Sequence, residues 1–276
     1  MNFLKRCLLI AVGLLCAAAI GILIWAGAVE PNLLSVKRIE YSLPVTQRVR
    51  VAFFSDTHFG KWYSEENLSR IAEKINEQNP DLVLFGGDFF DIYRRDCGQL
   101  SLDGIADALQ SVKAPLGKYA VWGNHDYGGG AQKIYPSVME RGGFEILKNE
   151  GVTFPEQNMI LYGLDDLIFG NPQKETPDSS GSSGARLLFC HEPDTADILP
   201  VDRADLILSG HSHGGQIFLP FFTQKILPPG AKNYRKGLYP REGGSVFVSS
   251  GIGMTKLPFR LFNLPEIVVI DLIPSF

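Results

Sequence analysis

All five histidines of this 276-residue chain occupy the same kind of position in the sequence. Each lies at or just after the end of an apolar run, beside glycine, aspartate, asparagine or glutamate. Three oxygen-bearing side chains, those of Asp56, Asp88 and Asn124, follow apolar runs in the same way. The five histidines are His58, His125, His191, His211 and His213. Five independent coincidences explain this pattern poorly, so we expect these side chains to meet at one site.

A mixed set of imidazole and oxygen donors is typical of a transition-metal site. Mn, Fe and Zn bind these ligand types, and a set of this size exceeds what one ion needs. Two ions about 3.5–4 Å apart suit in-line displacement at phosphorus, because one lowers the pKa of a water molecule and both neutralise charge on the phosphoryl oxygens. For the stretch from Asp56 to His58 alone, a helix-capping aspartate and a solvated histidine remain an equally good interpretation.

The leaving alkoxide of such a reaction needs a proton, which a histidine can donate. His125 is the candidate for this role, and Asp91 is the best candidate for the carboxylate that orients its imidazole. Flanking glycines let the backbone approach metal and phosphate without a clash from a Cβ atom. These residues together predict a hydrolase that acts on a phosphoester.

The apolar runs before these residues predict an α/β fold. Val51–Phe54, Leu82–Phe85 and Tyr119–Trp122 are uncharged and rich in strand-forming residues, which predicts buried strands. The spacing of apolar residues predicts helices over about 64–78 and 102–112. Alternating strands and helices are typical of a parallel sheet with right-handed crossovers. Such a sheet gathers ligands at the carboxyl ends of its strands, where the candidate residues lie.

The second half of the chain predicts a second sheet after a helix near Ala131–Arg141. Its predicted strands are Val152–Phe154, Met159–Gly163, Arg186–Cys190, Leu206–Ser209, Gln216–Leu219, Ser245–Ser249 and Ile267–Leu272. The segment Asn171–Gly184 is rich in Pro, Ser and Gly, which predicts a surface loop.

The N-terminal segment predicts a membrane anchor. Lys5 and Arg6 precede an uncharged run from Cys7 to Val29. At about 1.5 Å per helical residue this run can cross the roughly 30 Å hydrocarbon core, and it exceeds the usual signal-peptide core of about 7–15 residues. The Ala-Gly-Ala sequence ending at Ala28 keeps a cleaved signal as the alternative. The predicted parts are an anchor at residues 1–30, a connecting segment at 31–48 and a catalytic domain at 49–276.

Composition excludes several other classes of protein. The net charge is −4, and Lys and Arg are scattered without a basic stripe, so no nucleic-acid partner is expected. Cys7 and Cys16 lie in the apolar segment, and the remaining cysteines have no C-x-x-C spacing. Disulfide scaffolds and zinc ribbons are therefore excluded. A single bridge between Cys97 and Cys190 stays open.

The candidate residues stand in five blocks whose order and spacing resemble those of the calcineurin-like metallophosphoesterases. The resemblance covers roughly Val49 to Leu272. The blocks are Asp56-x-His58, Gly87-Asp88-x-x-Asp91, Gly123-Asn124-His125, His191 and Gly210-His211-x-His213. The resemblance implies a four-layer α/β/β/α sandwich with two divalent metal ions at the sheet ends.

The resemblance also implies a role for each residue. One metal would be bound by Asp56, His58 and His213. The other would be bound by Asn124, His191 and His211, with Asp88 bridging the two. His125 matches the family's acid or phosphate-contacting histidine, and Asp91 matches its partner. Asp126 stands where the protein phosphatases have glutamate and no Arg-Gly follows Asp91, so protein phosphatase activity is not expected.

A narrower resemblance concerns the bacterial membrane-associated phosphodiesterases, some of which hydrolyse UDP-diacylglucosamine. It rests on the anchor, on the Gly-His-Ser-His-Gly-Gly-Gln sequence ending at Gln216, and on the tail from Pro258 to Glu266, which reads Pro-Phe-Arg-Leu-Phe and then Leu-Pro-Glu. It implies an inner-membrane enzyme with a lipid-linked substrate. It does not decide on which side of the membrane the catalytic domain lies. The segment Phe218–Phe222 would then form an apolar rim beside His213, with ordinary packing as the alternative. A soluble nucleotide or cyclic-nucleotide phosphodiesterase is the rival function, and a non-catalytic scaffold is disfavoured because every ligand position is filled.

Overall fold

The computed structural model describes residues 3–173, 184–200 and 203–275. In these ranges the chain forms two mixed six-stranded sheets and a set of short helices, preceded by one long apolar helix. The predicted α/β sandwich is therefore confirmed. The predicted loop Asn171–Gly184 falls largely on residues that lie outside the described ranges.

The helices and strands are numbered in chain order. The α-helices are α1 (Phe3–Ile24), α2 (Glu65–Asn76), α3 (Tyr93–Asp96), α4 (Leu102–Gln110), α5 (Asn124–Gly128), α6 (Ile134–Arg141) and α7 (Thr223–Ile226). The first six strands are β1 (Ser35–Leu43), β2 (Val49–Phe54), β3 (Leu82–Phe85), β4 (Lys118–Ala120), β5 (Glu145–Ile146) and β6 (Glu150–Phe154). The others are β7 (Met159–Gly163), β8 (Ala185–Phe189), β9 (Leu206–Ser209), β10 (Gly237–Arg241), β11 (Gly244–Val248) and β12 (Glu266–Pro274).

The first sheet has the strand order β1-β12-β2-β3-β4-β5 and is parallel except between β12 and β2. Side chains along β2 alternate between its two faces, as a strand requires. Val51 and Phe53 pack into the core between the sheets, whereas Ala52 and Phe54 pack beneath the helices. The strand is buried on both faces, which explains its unbroken apolar sequence.

The second sheet has the order β10-β11-β9-β8-β7-β6. Its central strands β7, β8, β9 and β11 are parallel, and the strands at both edges are antiparallel to their neighbours. Leu187 and Phe189 of β8 face the first sheet, and Leu188 faces outward. The outer face packs on the 3₁₀-helix Pro193–Ile198 through Ala196, which supplies the fourth layer.

Three details differ from the sequence expectations. The segment Ile267–Leu272 lies in the first sheet, inside β12, because its backbone pairs with β1 and β2. Gln216–Leu219 forms no strand, since Gln216 has a left-handed φ of 55° and only Ile217 makes an isolated bridge. The expected connecting segment at 31–48 contains the edge strand β1, whose half-exposed pattern gives only a weak apolar signal.

The open question of a disulfide is also answered by the structure. Cys97 is exposed and Cys190 is buried, and both are free thiols. The two residues therefore form no bridge with each other.

The N-terminal helix α1 stands apart from the packed sheets. None of its 22 residues is buried, although its sequence is almost wholly apolar. The helical stretch Phe3–Asn32, which continues through a π-helical turn at Trp25–Val29, is long and apolar enough to cross a membrane. An exposed apolar helix of this length is favoured by a hydrocarbon environment and disfavoured by water.

We expect the full-length protein to remain in the membrane fraction through a high-salt or alkaline wash, because α1 would be buried in lipid. Membrane fractionation followed by sequencing of the mature N-terminus checks this expectation. Release of the protein with a mature N-terminus at Val29 would establish cleavage after Ala28 and contradict the anchor.

Candidate metal centre

The side chains that follow β2 and β9 form one cluster. The Nε2 atom of His213 lies 2.9 Å from Nε2 of His58 and 3.5 Å from Oδ1 of Asp56. The ligand atoms of these three residues all lie within 4.8 Å of one another, and each residue is buried. Three converging donors of this kind can hold one cation.

A second cluster forms where β3, β8 and β9 end. The Nε2 atom of His191 lies 3.1 Å from both Oδ2 of Asp88 and Nδ1 of His211. The same carboxylate oxygen of Asp88 is 3.5 Å from Nε2 of His58 in the first cluster. Asp88 therefore lies between the two clusters, where one carboxylate can contact two ions.

Left-handed backbone conformations aim these side chains inward. Positive φ is uncommon outside glycine and costs about 1–3 kcal/mol per residue where it is strained. Five of the candidate residues adopt it, namely Asp56 (55°), His58 (45°), Asp88 (57°), His211 (63°) and His213 (49°). Such strain persists only where the surroundings fix the conformation, which is characteristic of functional sites.

Two buried polar atoms at this edge have no hydrogen-bond partner among the described residues. They are Oδ1 of Asn124 and Nδ1 of His58. Buried polar atoms are normally satisfied, so an orphan such as the Asn124 oxygen needs an explanation. A carbonyl-type oxygen beside carboxylates and imidazoles fits the coordination of a divalent transition metal.

Hydrogen bonds fix which nitrogen of each imidazole is available. Nδ1 of His191 lies 2.7 Å from the carbonyl oxygen of Gly86, and Nε2 of His211 lies 2.7 Å from that of Pro229. A ring N–H that donates to a carbonyl leaves the other nitrogen as a lone-pair donor directed at the site. Burial lowers the pKa of His211 to about 3, which keeps its ring in the neutral form that binds metals.

The structure places His125 beside Asp91, but through a different contact from the one that the sequence predicts. Nδ1 of His125 is 2.7 Å from the backbone carbonyl oxygen of Asp91 and 3.5 Å from its carboxylate. Burial alone would raise the pKa of the Asp91 carboxyl, but the nearby imidazole of His58 and a hydrogen bond from Arg95 lower it to about 2. The ionised carboxylate thus lies between His58 and His125, and the carbonyl orients the His125 ring.

Sequence reasoning missed the structural role of Asp126. This fully buried carboxylate accepts backbone N–H groups from Asp88 at 2.9 Å, Phe89 at 3.0 Å, Phe90 at 3.3 Å and Gly123 at 3.2 Å. It thereby joins the loop after β3 to the loop after β4. Its only sequence signal is its place directly after His125.

Sequence reasoning also missed the structural role of Arg260. It is fully buried, and its guanidinium donates to the carbonyls of Gly253 at 2.7 Å and Ser250 at 2.9 Å. One guanidinium nitrogen lies 3.5 Å from Nδ1 of His213. A lone arginine within the apolar stretch Pro258–Phe262 is the signal that could have found it.

The structure brings the predicted site residues together at one edge of the sandwich. Residues 49–215 match the family of calcineurin-like phosphoesterases. The chain belongs to this family. The match begins at β2 and ends just after His213, so it contains every candidate residue.

Curated relatives carry related names. The metallophosphoesterase YkuE of Bacillus subtilis is 38% identical over 81% of this chain and 78% of its own length. The phosphodiesterase YaeI of Escherichia coli is 29% identical over 81% of this chain and 82% of its own. The UDP-2,3-diacylglucosamine pyrophosphatase LpxG of Chlamydia muridarum is 27% identical over 89% of this chain and 91% of its own.

Family and geometry together make this chain a phosphoester hydrolase with two divalent metal ions as cofactors. The two clusters, which Asp88 of the second connects to His58 of the first, supply carboxylate and imidazole donors for such a pair. Residues of both clusters, namely His58, His213, Asp88 and His211, line a cleft of about 500 Å³.

We expect protein purified without chelator to contain close to two transition-metal ions per chain, because the Asp88 carboxylate lies within 3.5 Å of a donor in each of two buried clusters. Elemental analysis measures this content, and activity should fall in parallel when a chelator removes the ions. Reproducible absence of metal, with activity that survives chelation, would contradict the metal centre.

Proposed function

We propose that this enzyme is a phosphodiesterase or pyrophosphatase that hydrolyses a membrane lipid-linked substrate such as UDP-diacylglucosamine. The observation that carries the proposal is the cleft, whose lining combines polar and apolar side chains. The polar side chains of the lining include His58, Asp88 and His125. The apolar ones include Ile168, Phe169, Ile226, Leu227 and Leu257. A phosphoester that carries acyl chains has this same division between polar and apolar parts.

We further propose the metal ligands that support this chemistry. The first ion is bound by Asp56, His58 and His213. The second is bound by Asn124, His191 and His211, and Asp88 contacts both. When bound, the two ions stabilise negative charge on the phosphoryl oxygens and lower the pKa of a water molecule. Mn, Fe and Zn all suit this donor set.

His125 is proposed to donate the proton that the leaving oxygen needs. Its Nδ1 atom is held by the carbonyl of Asp91, so its Nε2 atom is available to a substrate in the cleft. The side chain is 25% exposed, in contrast to the buried imidazoles of His58 and His191. Access to both substrate and solvent suits a group that gives up a proton and then recovers it.

Two exposed aromatic residues, in the segment between the cleft-lining residues Ile217 and Ile226, support a lipid substrate over a soluble nucleotide. Phe221 is 90% exposed and Phe222 is 66% exposed. Ordinary packing does not account for these two rings, although Phe218 stacks on the guanidinium of Arg235 at 4.4 Å. Apolar surface of this kind, in a segment whose flanking residues line the cleft and on a chain with an exposed apolar helix, favours contact with acyl chains.

The name of the Chlamydia relative also supports a lipid-linked substrate. That protein is a UDP-2,3-diacylglucosamine pyrophosphatase, and it aligns over most of both chains. The Escherichia coli relative is named only as a phosphodiesterase. A nucleotide or cyclic-nucleotide substrate is the second candidate, and a substrate comparison separates the two.

Replacement of His125 by alanine should lower kcat by roughly 10²–10⁴-fold, the usual scale of general acid–base help. The loss should be larger for poor leaving groups than for activated aryl phosphates, which need no proton. Metal content of the variant, measured in the same samples, should stay at the wild-type value. An equal loss for all leaving groups would contradict the role of His125 as an acid.

Acyl chains should lower KM for matched diesters or pyrophosphates, because each buried CH₂ contributes about 0.8 kcal/mol. The measurement is kcat/KM with and without acyl chains for the wild type and for the double variant Phe221→Ser/Phe222→Ser. The double variant should lose part of the acyl advantage, whereas Leu238→Ser serves as a control because Leu238 is an exposed apolar residue of β10 that does not line the cleft.

An acyl chain that gives no advantage in the wild type would contradict the lipid-linked substrate. If the double variant keeps the full acyl advantage, this result would contradict only the proposed role of the two phenylalanines. In both cases the metal chemistry would stand.

A further inference from the structure

A buried carboxylate lies directly after the N-terminal apolar helix. Glu30 begins the short 3₁₀-helix Glu30–Asn32 and is only 2% exposed. Its Oε2 atom accepts a hydrogen bond from the indole N–H of Trp25 at 2.8 Å. Its Oε1 atom accepts the backbone N–H of Asn263 at 2.5 Å. Burial of a carboxyl group is costly unless it is hydrogen-bonded, and one of the two hydrogen bonds of Glu30 leads into the catalytic domain.

Asn263 connects this carboxylate to a candidate metal ligand. Its side-chain Nδ2 donates to the backbone carbonyl of His213, and its Oδ1 accepts from Nζ of Lys236 at 3.1 Å. The ammonium group can only donate, so this contact fixes which end of the amide faces His213. A Cβ atom on Gly214 would lie 2.6 Å from Oδ1 of Asn263, so the close approach of the Gly214 backbone to the Asn263 side chain requires glycine at position 214.

A second hydrogen bond joins the same two regions. The backbone N–H of Arg260 donates to the carbonyl of Ala26 at 2.9 Å, within the π-helical turn that ends the apolar helix. The guanidinium of Arg260 lies 3.5 Å from Nδ1 of His213. The loop from Arg260 to Asn263 is therefore held on one side by residues 26–30 and contacts His213 on the other.

His213 needs such support because its backbone is in the left-handed region, with a φ of 49°. A histidine without a fixed backbone would relax from this conformation, and its Nε2 atom would move away from Asp56 and His58. Groups that orient a metal ligand typically change metal affinity by 10–100-fold when they are removed.

We propose that Glu30 is a positioning residue for the metal ligand His213 and acts through Asn263. The turn that ends the N-terminal apolar helix is thus part of the support of one metal site. The inference rests on the proposed ligand set, and it adds a residue that lies outside the family's metal-binding blocks.

The test measures metal affinity in the full-length, detergent-solubilised protein by chelator titration and elemental analysis. Glu30→Ala should raise the apparent dissociation constant of one ion by about 10–100-fold and leave the other ion bound. Glu30→Gln should have a smaller effect, because its amide oxygen can still accept the N–H of Asn263. A thermal unfolding curve for each variant shows whether loss of metal precedes loss of the fold.

Two controls separate this inference from the metal assignment itself. Glu40→Gln makes the same charge change at an exposed position of β1 and should keep both ions at wild-type affinity. His213→Ala should lose one ion. If His213→Ala keeps both ions, then the ligand assignment is wrong, whatever Glu30 does.

The serial connection is tested by combining Glu30→Ala with Asn263→Ala. If Glu30 acts through Asn263, the double variant should show the metal affinity of Asn263→Ala alone, because the second change removes the connection that the first one uses. Additive effects would show that Glu30 acts by another route. Wild-type affinity in Glu30→Ala, or loss of both ions in step with unfolding, would overturn the proposal.

Discussion

The buried carboxylate of Asp88 connects the candidate ligands of the two sheets at one site. It lies 3.1 Å from an imidazole nitrogen of His191, which follows a strand of the second sheet, and 3.5 Å from that of His58, which follows a strand of the first. Burial alone would raise the pKa of Asp88, but the imidazoles of His191, His125 and His58 lower it well below its usual range. A buried anion must be matched by positive charge, so this position favours cations on both sides.

Hydrogen bonds from residues around the site maintain the geometry of the Asp88 carboxylate and its neighbours. Asp126 gathers four backbone N–H groups from the loops after β3 and β4, and one of them belongs to Asp88 itself. Arg260 binds the carbonyls of Gly253 and Ser250 beside His213. These contacts hold left-handed residues that would otherwise relax, so the backbone strain of the site is balanced by buried polar bonds. The geometry of the site therefore depends on these surrounding hydrogen bonds as much as on the ligands themselves.

Much of this arrangement could be predicted from the sequence, for a local reason. Unbroken apolar runs mark strands such as β2, β3 and β9, and a polar residue directly after such a run lies at the strand end. Features that depend on contacts between residues far apart in the sequence were missed. The sheet that receives β12 depends on pairing with β1 and β2, which lie far from it in the chain. Arg260 and Asn263 gain their roles from contacts with His213, which no spacing rule reveals.

Anomalous diffraction from crystals loaded with Mn²⁺ tests the shared carboxylate most directly, because it locates each ion without reference to activity. The arrangement predicts two peaks about 3.5–4 Å apart, both in contact with Asp88, one beside His213 and the other beside His191. A single peak, or two peaks that Asp88 does not contact, would contradict the claim that this carboxylate joins two metal sites.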